Sequence, residues 1–143
     1  MEIRPARAAD AEALAVVFAD WDHALEADAI VERLREWEGT PLASVLVAEV
    51  GEEVVGVAAV AASPQLARPG RFARLIGLAV RATHRRQGVA AALLRAVEDQ
   101  ARAWGCNRVE LTSSRWRAEA PAFYEAMGYA DRSPEQARYV REL

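Results

Sequence analysis

Apolar residues recur along this chain with two different spacings, which predict a protein that mixes strands and helices. Short apolar or alternating runs predict strands at residues 3–6, 44–50, 54–61, 72–80, 108–113, 129–131 and 137–142. Apolar residues three and four positions apart predict four helices. Their apolar sides are Leu14, Val17, Phe18 and Trp21; Ile30, Leu34 and Trp37; Ala90, Leu94, Val97, Ala101 and Trp104; and Ala120, Phe123, Tyr124 and Met127. The chain is therefore predicted to form a mixed sheet with helices on both faces.

Local signals predict how these elements begin and pair. Asp10 is expected to cap the first helix. A tight turn at residues 51–53 predicts that the second and third strands form an antiparallel hairpin. The fourth strand, the third helix and the fifth strand predict a parallel pair with a right-handed crossover. Gly77 interrupts the fourth strand. It indicates either a bulge or close backbone approach, or a space-saving contact under a bulky neighbour.

An arginine-rich turn joins the fourth strand to the third helix and predicts a phosphate site. Gly88 lets the backbone approach a ligand without a Cβ, and Arg85 and Arg86 add charge that persists at neutral pH. The first N–H groups of a helix and the positive end of its dipole also attract phosphate. We therefore expect a pyrophosphate-bearing cofactor at the start of this helix, with an ordinary solvated loop as the alternative. A lysine-based nucleotide loop is excluded because all 18 basic residues are arginines.

Composition narrows the class of protein. A chain of 143 residues with 52% apolar and 27% charged residues predicts one globular domain over residues 1–143. The net charge of −3 speaks against a nucleic-acid surface. No apolar run approaches the roughly 20 residues of a membrane helix, and the first residues lack the apolar core of a secretory signal. Neither a nucleic acid nor a membrane is an expected partner.

The single cysteine indicates a reducing compartment, and the two histidines give no sign of a metal site. Cys106 has no partner for an internal disulfide, which fits the cytoplasm, and we interpret it as a small buried hydrophobe. His23 and His84 lie too far apart for metal-ligand spacing, so no metal is expected.

Two motifs resemble those of the GNAT superfamily of acyl-CoA-dependent N-acyltransferases, and the order of elements does so along essentially the whole chain. The phosphate motif of that family, Arg/Gln-x-x-Gly-x-Gly/Ala, is matched by Arg85, Gly88 and Ala90. Its later motif, Ala-x-x-x-Tyr followed by Gly-Phe/Tyr, is matched by Ala120, Tyr124, Gly128 and Tyr129.

The resemblance implies an α/β (α+β) fold in a single domain. Its mixed, mostly antiparallel sheet would have six to seven strands, with a central parallel pair that splays apart beyond Gly77. It also implies acetyl-CoA as acyl donor, with the pyrophosphate on main-chain amides of the turn and the pantetheine arm along the fourth strand. The implied cofactor-binding residues are Leu78, Ala79, Val80, Arg85, Arg86, Gln87, Gly88, Val89, Ala90 and Phe123.

The same resemblance implies that Tyr124 is catalytic and directs its hydroxyl at the thioester sulfur. A tyrosine, with an ordinary pKa of about 10, can protonate a departing thiolate of pKa near 8.5 only if it is suitably placed. A backbone N–H at Ala79 or Val80 would bind the oxyanion of the tetrahedral intermediate. The alternative is that Tyr124 is a core aromatic on the apolar side of its helix.

The chain departs from the family pattern where many members carry a carboxylate that deprotonates the amine. Ile76 and Gly77 stand there and cannot act as a base. The remaining candidates are Glu110, His23, an acid from the first two helices, or water relayed through Ser113. A second departure is an arginine, at position 117, where the family often has asparagine.

The resemblance implies that the turn between the first two helices borders the acceptor pocket, and the acidic and aromatic residues of this turn favour a small-molecule amine as acceptor. The turn contains Asp20, Trp21, Asp22, His23, Glu26 and Asp28. Acids beside an aromatic ring attract a cation, although a solvated acidic helix end has the same composition. Two other functions remain open: a non-catalytic acyl-CoA-binding module, and acetyl transfer to a protein or aminoacyl-tRNA amine. The family often dimerises through its closing strands, so a homodimer is a further option.

Overall fold

Five strands lie side by side in chain order in the first of two units that the structure contains. The computed structural model describes residues 1–114 and 119–143, and its compact units are residues 1–111 and 112–143. The strands are β1 (Glu2–Pro5), β2 (Ala43–Val50), β3 (Glu53–Pro64), β4 (Arg71–Val80) and β5 (Cys106–Glu110). Neighbours are antiparallel except for the parallel pair β4–β5. The predicted hairpin and parallel pair are therefore confirmed.

Two parts of the predicted sheet are wrong. The described residues contain five strands, not six to seven, and the parallel pair lies at one edge of the sheet instead of its centre. Residues 129–143 contain no strand. There Asp131 accepts a hydrogen bond from the Ser133 N–H at 2.9 Å, and a short 3₁₀ turn over Ser133–Glu135 follows. Tyr139 and Val140 stay exposed, so the segment has no buried face that would hold a strand.

The parallel strands separate along β4. Their pairing runs from Arg71 with Cys106 to Arg74 with Glu110 and ends there, so the strands part three residues before Gly77 instead of beyond it. On the other side of β4, the register with β3 shifts between Leu75 and Gly77. Ile76 is thus the extra residue of a bulge, which bends the strand at this point.

Gly77 combines both interpretations that its sequence allowed. It follows the bulge residue directly, and a Cβ placed on it would lie 3.0 Å from Cη2 of Trp21. The glycine therefore makes room for an indole that rests on the backbone of β4.

Helices cover both faces of the sheet in the first unit. The first two, α1 (Ala11–Asp20) and α2 (Ala27–Glu38), share a buried cluster with β2, β3 and β4. The third, α3 (Val89–Ala103), packs on the opposite face, where a Cβ on Gly56 would lie 3.0 Å from Leu93 Cδ1 and Val89 Cγ1. The buried residues of α3 are Val89, Leu93, Leu94, Val97 and Ala101. No helix in the described part of the chain is long and apolar enough to cross a bilayer.

Asp10 has a different role from the predicted helix cap. Its carboxylate makes no capping bond to α1 and instead accepts the Arg7 N–H at 2.7 Å. Arg4 donates to both carboxylate oxygens at 2.8 and 2.9 Å, and its Nε donates to Glu49 at 3.0 Å. These bonds from Arg4 hold the pKa of the buried Asp10 below its ordinary value. The cluster ties β1 to β2 and to the start of α1.

Cys106 is only partly buried, as the first residue of β5. Burial raises the pKa of its thiol, which opposes thiolate chemistry.

Candidate functional site

The expected pyrophosphate seat is an exposed turn at the start of α3. Arg86 has a φ of 61° and Gly88 a φ of 84°, so the backbone becomes left-handed twice within three residues. A Cβ on Gly88 would meet nothing within 4 Å, so the space beside it is open. No side chain caps α3, and its first bond runs from the Ala92 N–H to the Gly88 carbonyl at 3.0 Å. The earlier N–H groups of the helix are thus available to an anion, and the turn fits a diphosphate.

The free edge of β4 offers main-chain groups next to this turn. The Arg81 N–H donates to the Val55 carbonyl at 2.8 Å, on the β3 side. Main-chain groups alternate in direction along a strand. Ala79, two residues earlier, therefore also faces β3, while Leu78 and Val80 face the side that β5 has left. Of the two amides considered for the oxyanion, that of Val80 faces the open side.

The end of α1 is bonded to the chain that leads from β4 into the phosphate turn. The Asp20 carboxylate accepts the Ala82 N–H at 2.9 Å and lies 3.5 Å from Nε of Arg81. The Asp20 carbonyl accepts Nη2 of Arg85 at 3.1 Å. The Ala82 N–H, followed by Arg81, lowers the pKa of Asp20. Arg81 also pairs with Glu53 at 2.6 Å, which fixes its guanidinium from the other side. The bond from Arg85 to the last residue of α1 thus fixes the turn at the start of α3.

A cavity of about 390 Å³ opens beside Trp21, between α1 and α2. Its lining residues are Phe18, Trp21, His23, Ala24, Leu25 and Arg33. The Trp21 ring meets His23 edge-on at 4.7 Å and Phe18 at 6.3 Å between centroids. Trp21 both rests on Gly77 of β4 and lines the cavity. The acids of the same turn do not line it.

A model of the acetyltransferase (GNAT) family matches residues 11–129, which is most of the chain. The chain belongs to the GNAT acetyltransferase family. Its fold also resembles solved structures over 98–100% of both chains. A transcriptional regulator from Bacillus halodurans is 24% identical with a TM-score of 0.87. A ribosomal-protein-alanine N-acetyltransferase from Brucella melitensis is 23% identical, with a TM-score of 0.79. An aminoglycoside 6'-N-acetyltransferase from Acinetobacter haemolyticus is 18% identical, also with 0.79. No curated protein matches the sequence.

The second GNAT motif builds the end of the helix in the second unit, α4 (Glu119–Ala126). Gly128 has a φ of 93°, and the Tyr129 N–H bonds back to the Tyr124 carbonyl at 2.9 Å while Gly128 bonds to Glu125 at 3.0 Å. This pair of bonds is a Schellman motif, which glycine favours. The Gly-Tyr part of the second GNAT motif is thus explained by the way α4 ends, independently of catalysis.

Tyr124 lies in an aromatic group of the second unit. Its ring centroid is 5.1 Å from that of Phe123 and 6.0 Å from that of Tyr129. Burial raises the pKa of its hydroxyl, so the phenol stays protonated at neutral pH and keeps a proton that it can donate. The catalytic role of Tyr124 and the cofactor contact of Phe123 remain predictions.

The candidates for the missing GNAT base occupy different surroundings. Ile76 is exposed at the bulge and has no ionisable group. Glu110 is held by Arg108 at 2.7 Å and by Arg74 at 3.8 Å. His23 lines the cavity beside Trp21, whereas Ser113 belongs to the second unit. Trp116 is a sequence candidate either for lining the mouth of the acceptor pocket or for covering the core. It and the departure at position 117 lie outside the described residues.

Sequence reasoning missed two parts of the site. Asp20 and Arg81 are 61 positions apart, so no local pattern signals their contact. The helical pattern places Arg33 on the polar side of its helix, away from the apolar residues of that helix, and its position at the cavity depends on how α2 packs beside α1.

Proposed function

We propose that this protein is an acetyl-CoA-dependent N-acetyltransferase that acts on the primary amine of a small molecule. The observation that carries the proposal is one continuous path in the first unit: the free main-chain edge of Leu78 and Val80 leads to the open turn at Gly88. An extended pantetheine arm can add to such an edge as a strand does, and the turn fits the diphosphate that follows it. Cofactor contacts are thus assigned to the main chain, with Arg86 adding charge.

The chemistry needs few side chains. Acetyl-CoA supplies an activated acyl group as a thioester. The Val80 N–H would stabilise the oxyanion that forms when a neutral amine attacks in a ternary complex. Tyr124, by the family pattern, would protonate the departing thiolate. Positioning both substrates contributes several kcal/mol to catalysis without any base. His23 is the base candidate nearest the acceptor cavity, although water can also take the proton.

A non-catalytic acyl-CoA-binding module is the second candidate function. The observation that favours it is the exposed Ile76 and the adjoining Gly77, which occupy the place of the usual carboxylate. Acetyl transfer to a protein or aminoacyl-tRNA amine is a third candidate. The structural neighbours include enzymes named for a ribosomal protein and for an aminoglycoside, so the fold serves both macromolecular and small acceptors. The net charge of −3 disfavours tRNA.

Calorimetry with CoA and acetyl-CoA tests the cofactor seat. Gly88→Asp places a carboxylate beside the diphosphate at a position where aspartate tolerates a positive φ. We expect at least a tenfold loss of affinity. Gly51→Asp is the matched control, because Gly51 also has a positive φ, of 65°, with nothing within 4 Å of its Cβ, but lies in the β2–β3 turn. Failure of the wild-type protein to bind CoA, or equal losses in both variants, would refute the seat.

An amine panel assayed for CoA release distinguishes the enzyme from the binding module. Turnover of small primary amines supports the proposed function. Tight CoA binding with no turnover, including with ribosomal proteins and aminoacyl-tRNA, would instead establish the binding module.

A further inference from the structure

The cavity beside Trp21 has an apolar body and a positively charged wall. Phe18, Trp21 and Leu25 form the apolar part, and Arg33 from α2 supplies the charge. We propose that the acceptor is a primary amine that also carries a carboxylate, and that Arg33 binds this carboxylate. The inference rests on the proposed function, which it narrows to the amino acid class of amines.

The acidic sequence between α1 and α2 indicates a site for a positively charged ligand. The side chains that line the cavity instead favour a negatively charged group. The Asp20 carboxylate bonds with Ala82 and Arg81, on the side of the phosphate turn. Glu26 and Asp28 are exposed at the start of α2 and do not line the cavity. Arg33 makes no hydrogen bond or ion pair within the described residues. The charge that the cavity offers to a ligand is therefore positive.

The side chains in the cavity match the two ends of such an acceptor. A guanidinium binds a carboxylate through two parallel hydrogen bonds, a geometry that a neutral amine or a second ammonium group cannot use. The rings of Phe18 and Trp21 provide the surface against which an apolar side chain can pack. A volume of about 390 Å³ lies at the small end of the range for small-molecule sites. A polyamine would bring a second positive charge towards Arg33 and is disfavoured.

The position of Trp21 sets the direction of the ligand. The indole of Trp21 both contacts Gly77 and lines the cavity. The amine would point along Trp21 towards Leu78 and Val80, where the thioester is proposed to lie. The carboxylate would then lie at the α2 end of the cavity. Arg33 is thus assigned as a specificity-determining residue for the acceptor.

Matched pairs of amines with and without the carboxylate test this assignment. We would assay phenylalanine with phenethylamine, tyrosine with tyramine, tryptophan with tryptamine, and leucine with isopentylamine, following CoA release. We expect at least a tenfold higher kcat/KM for the carboxylate member of the preferred pair. Arg33→Gln should remove most of that ratio. Arg35→Gln is the matched control, since Arg35 is an exposed arginine of the same helix that lines a different cavity. It should leave the ratio unchanged.

A binding measurement makes the test independent of turnover. We would titrate the CoA-loaded protein with the N-acetyl forms of all four pairs, such as N-acetylphenylalanine and N-acetylphenethylamine, and repeat the titrations with Arg33→Gln. The acid of the preferred pair should bind at least about tenfold more tightly to the wild-type protein and lose this advantage in the variant.

The outcomes separate the two levels of the proposal. A preference for decarboxylated amines, equal effects of Arg33→Gln and Arg35→Gln, or no binding of any of the acetylated compounds would overturn the acceptor class. In each of these cases intact CoA binding would leave the cofactor seat standing. Failure to bind CoA would overturn the proposed function itself.

Discussion

The hydroxyl of Tyr124 is the one side-chain acid to which the resemblance assigns a chemical step. Burial raises its pKa, which has two opposite effects on that step. The phenol keeps its proton through neutral pH, so the donor form is always present. It is also a weaker acid, so proton transfer to a thiolate of pKa near 8.5 is uphill and depends on close placement. A catalytic Tyr124 therefore acts by position more than by acidity.

Replacing Tyr124 with phenylalanine removes the proton and keeps the ring. We expect kcat with an amine from the panel to fall about 100-fold, the scale of a lost general acid. CoA affinity should change less than twofold, since the aromatic contacts with Phe123 and Tyr129 survive. Tyr139→Phe, at an exposed tyrosine of the same unit, is the control. Acetyl transfer at the full rate by Tyr124→Phe would show that this residue is a core aromatic.

Among the elements, α1 does more than cover the sheet, because its last residue holds the entry to the phosphate turn. Asp20 bonds to Ala82 and to Arg85, and the next residue, Trp21, rests on β4. The turn proposed to hold the cofactor and the cavity proposed for the acceptor therefore share one structural support. A change at the end of α1 should affect both substrates.

Asp20→Ala removes the carboxylate that accepts the Ala82 N–H. We expect CoA to bind about threefold to tenfold more weakly, the scale of one lost hydrogen bond. Asp20→Asn keeps an acceptor oxygen and should recover most of the affinity. Glu53→Gln breaks the other ion pair of Arg81 without touching Ala82, and calorimetry should show CoA affinity close to that of the wild type. If Glu53→Gln weakens CoA as much as Asp20→Ala does, then the position of Arg81 matters and the bond to Ala82 does not.

Elements with local causes were predictable from sequence, and those with distant causes were not. The hairpin about Gly51 and the turn ending at Gly88 follow from glycines at positions with positive φ. The closing strands failed because Tyr139 and Val140 have an apolar pattern but no surface to bury it. The bonds of Asp20 join residues more than 60 positions apart, which no spacing rule detects. Gly77 was ambiguous because its neighbour, Trp21, comes from another element.

For the first unit as a whole, the sheet separates the two proposed binding sites. One face carries α3, whose start forms the proposed cofactor seat, and the other carries α1 and α2 with the cavity proposed for the acceptor. The free edge of β4 connects them. This arrangement requires α1 to stay attached to the sheet. The cluster of Arg4, Asp10 and Glu49 provides one attachment, because it links the start of α1 to β1 and β2. The pH dependence of unfolding tests directly how much this cluster contributes to stability.

Asp10 should make the free energy of unfolding of the protein depend on pH in the acidic range. Its pKa is lower in the folded state than in the unfolded chain, so its contribution is fully present above the ordinary value of about 4. The contribution is lost as the pH falls through the lower, folded value. Asp10→Asn breaks a nearly buried pair, in which the side chains of Arg4 and Asp10 are 13% and 8% exposed. We expect the free energy of unfolding of this variant to be about 3 kcal/mol lower than that of the wild type at pH 7.

Urea unfolding of the wild type and of Asp10→Asn between pH 7 and pH 3 measures this linkage. The difference between the two free energies should stay constant down to about pH 4 and shrink below it, because Asp10 is then protonated first in the unfolded chain, and in the folded protein only at its lower pKa. Asp99→Asn is the control: Asp99 pairs with Arg102 at 3.0 Å, but both side chains are more than two-thirds exposed. Its effect should stay below about 0.5 kcal/mol at every pH. A difference for Asp10→Asn that persists unchanged to pH 3 would mean that shape, and not the charge of Asp10, secures the cluster.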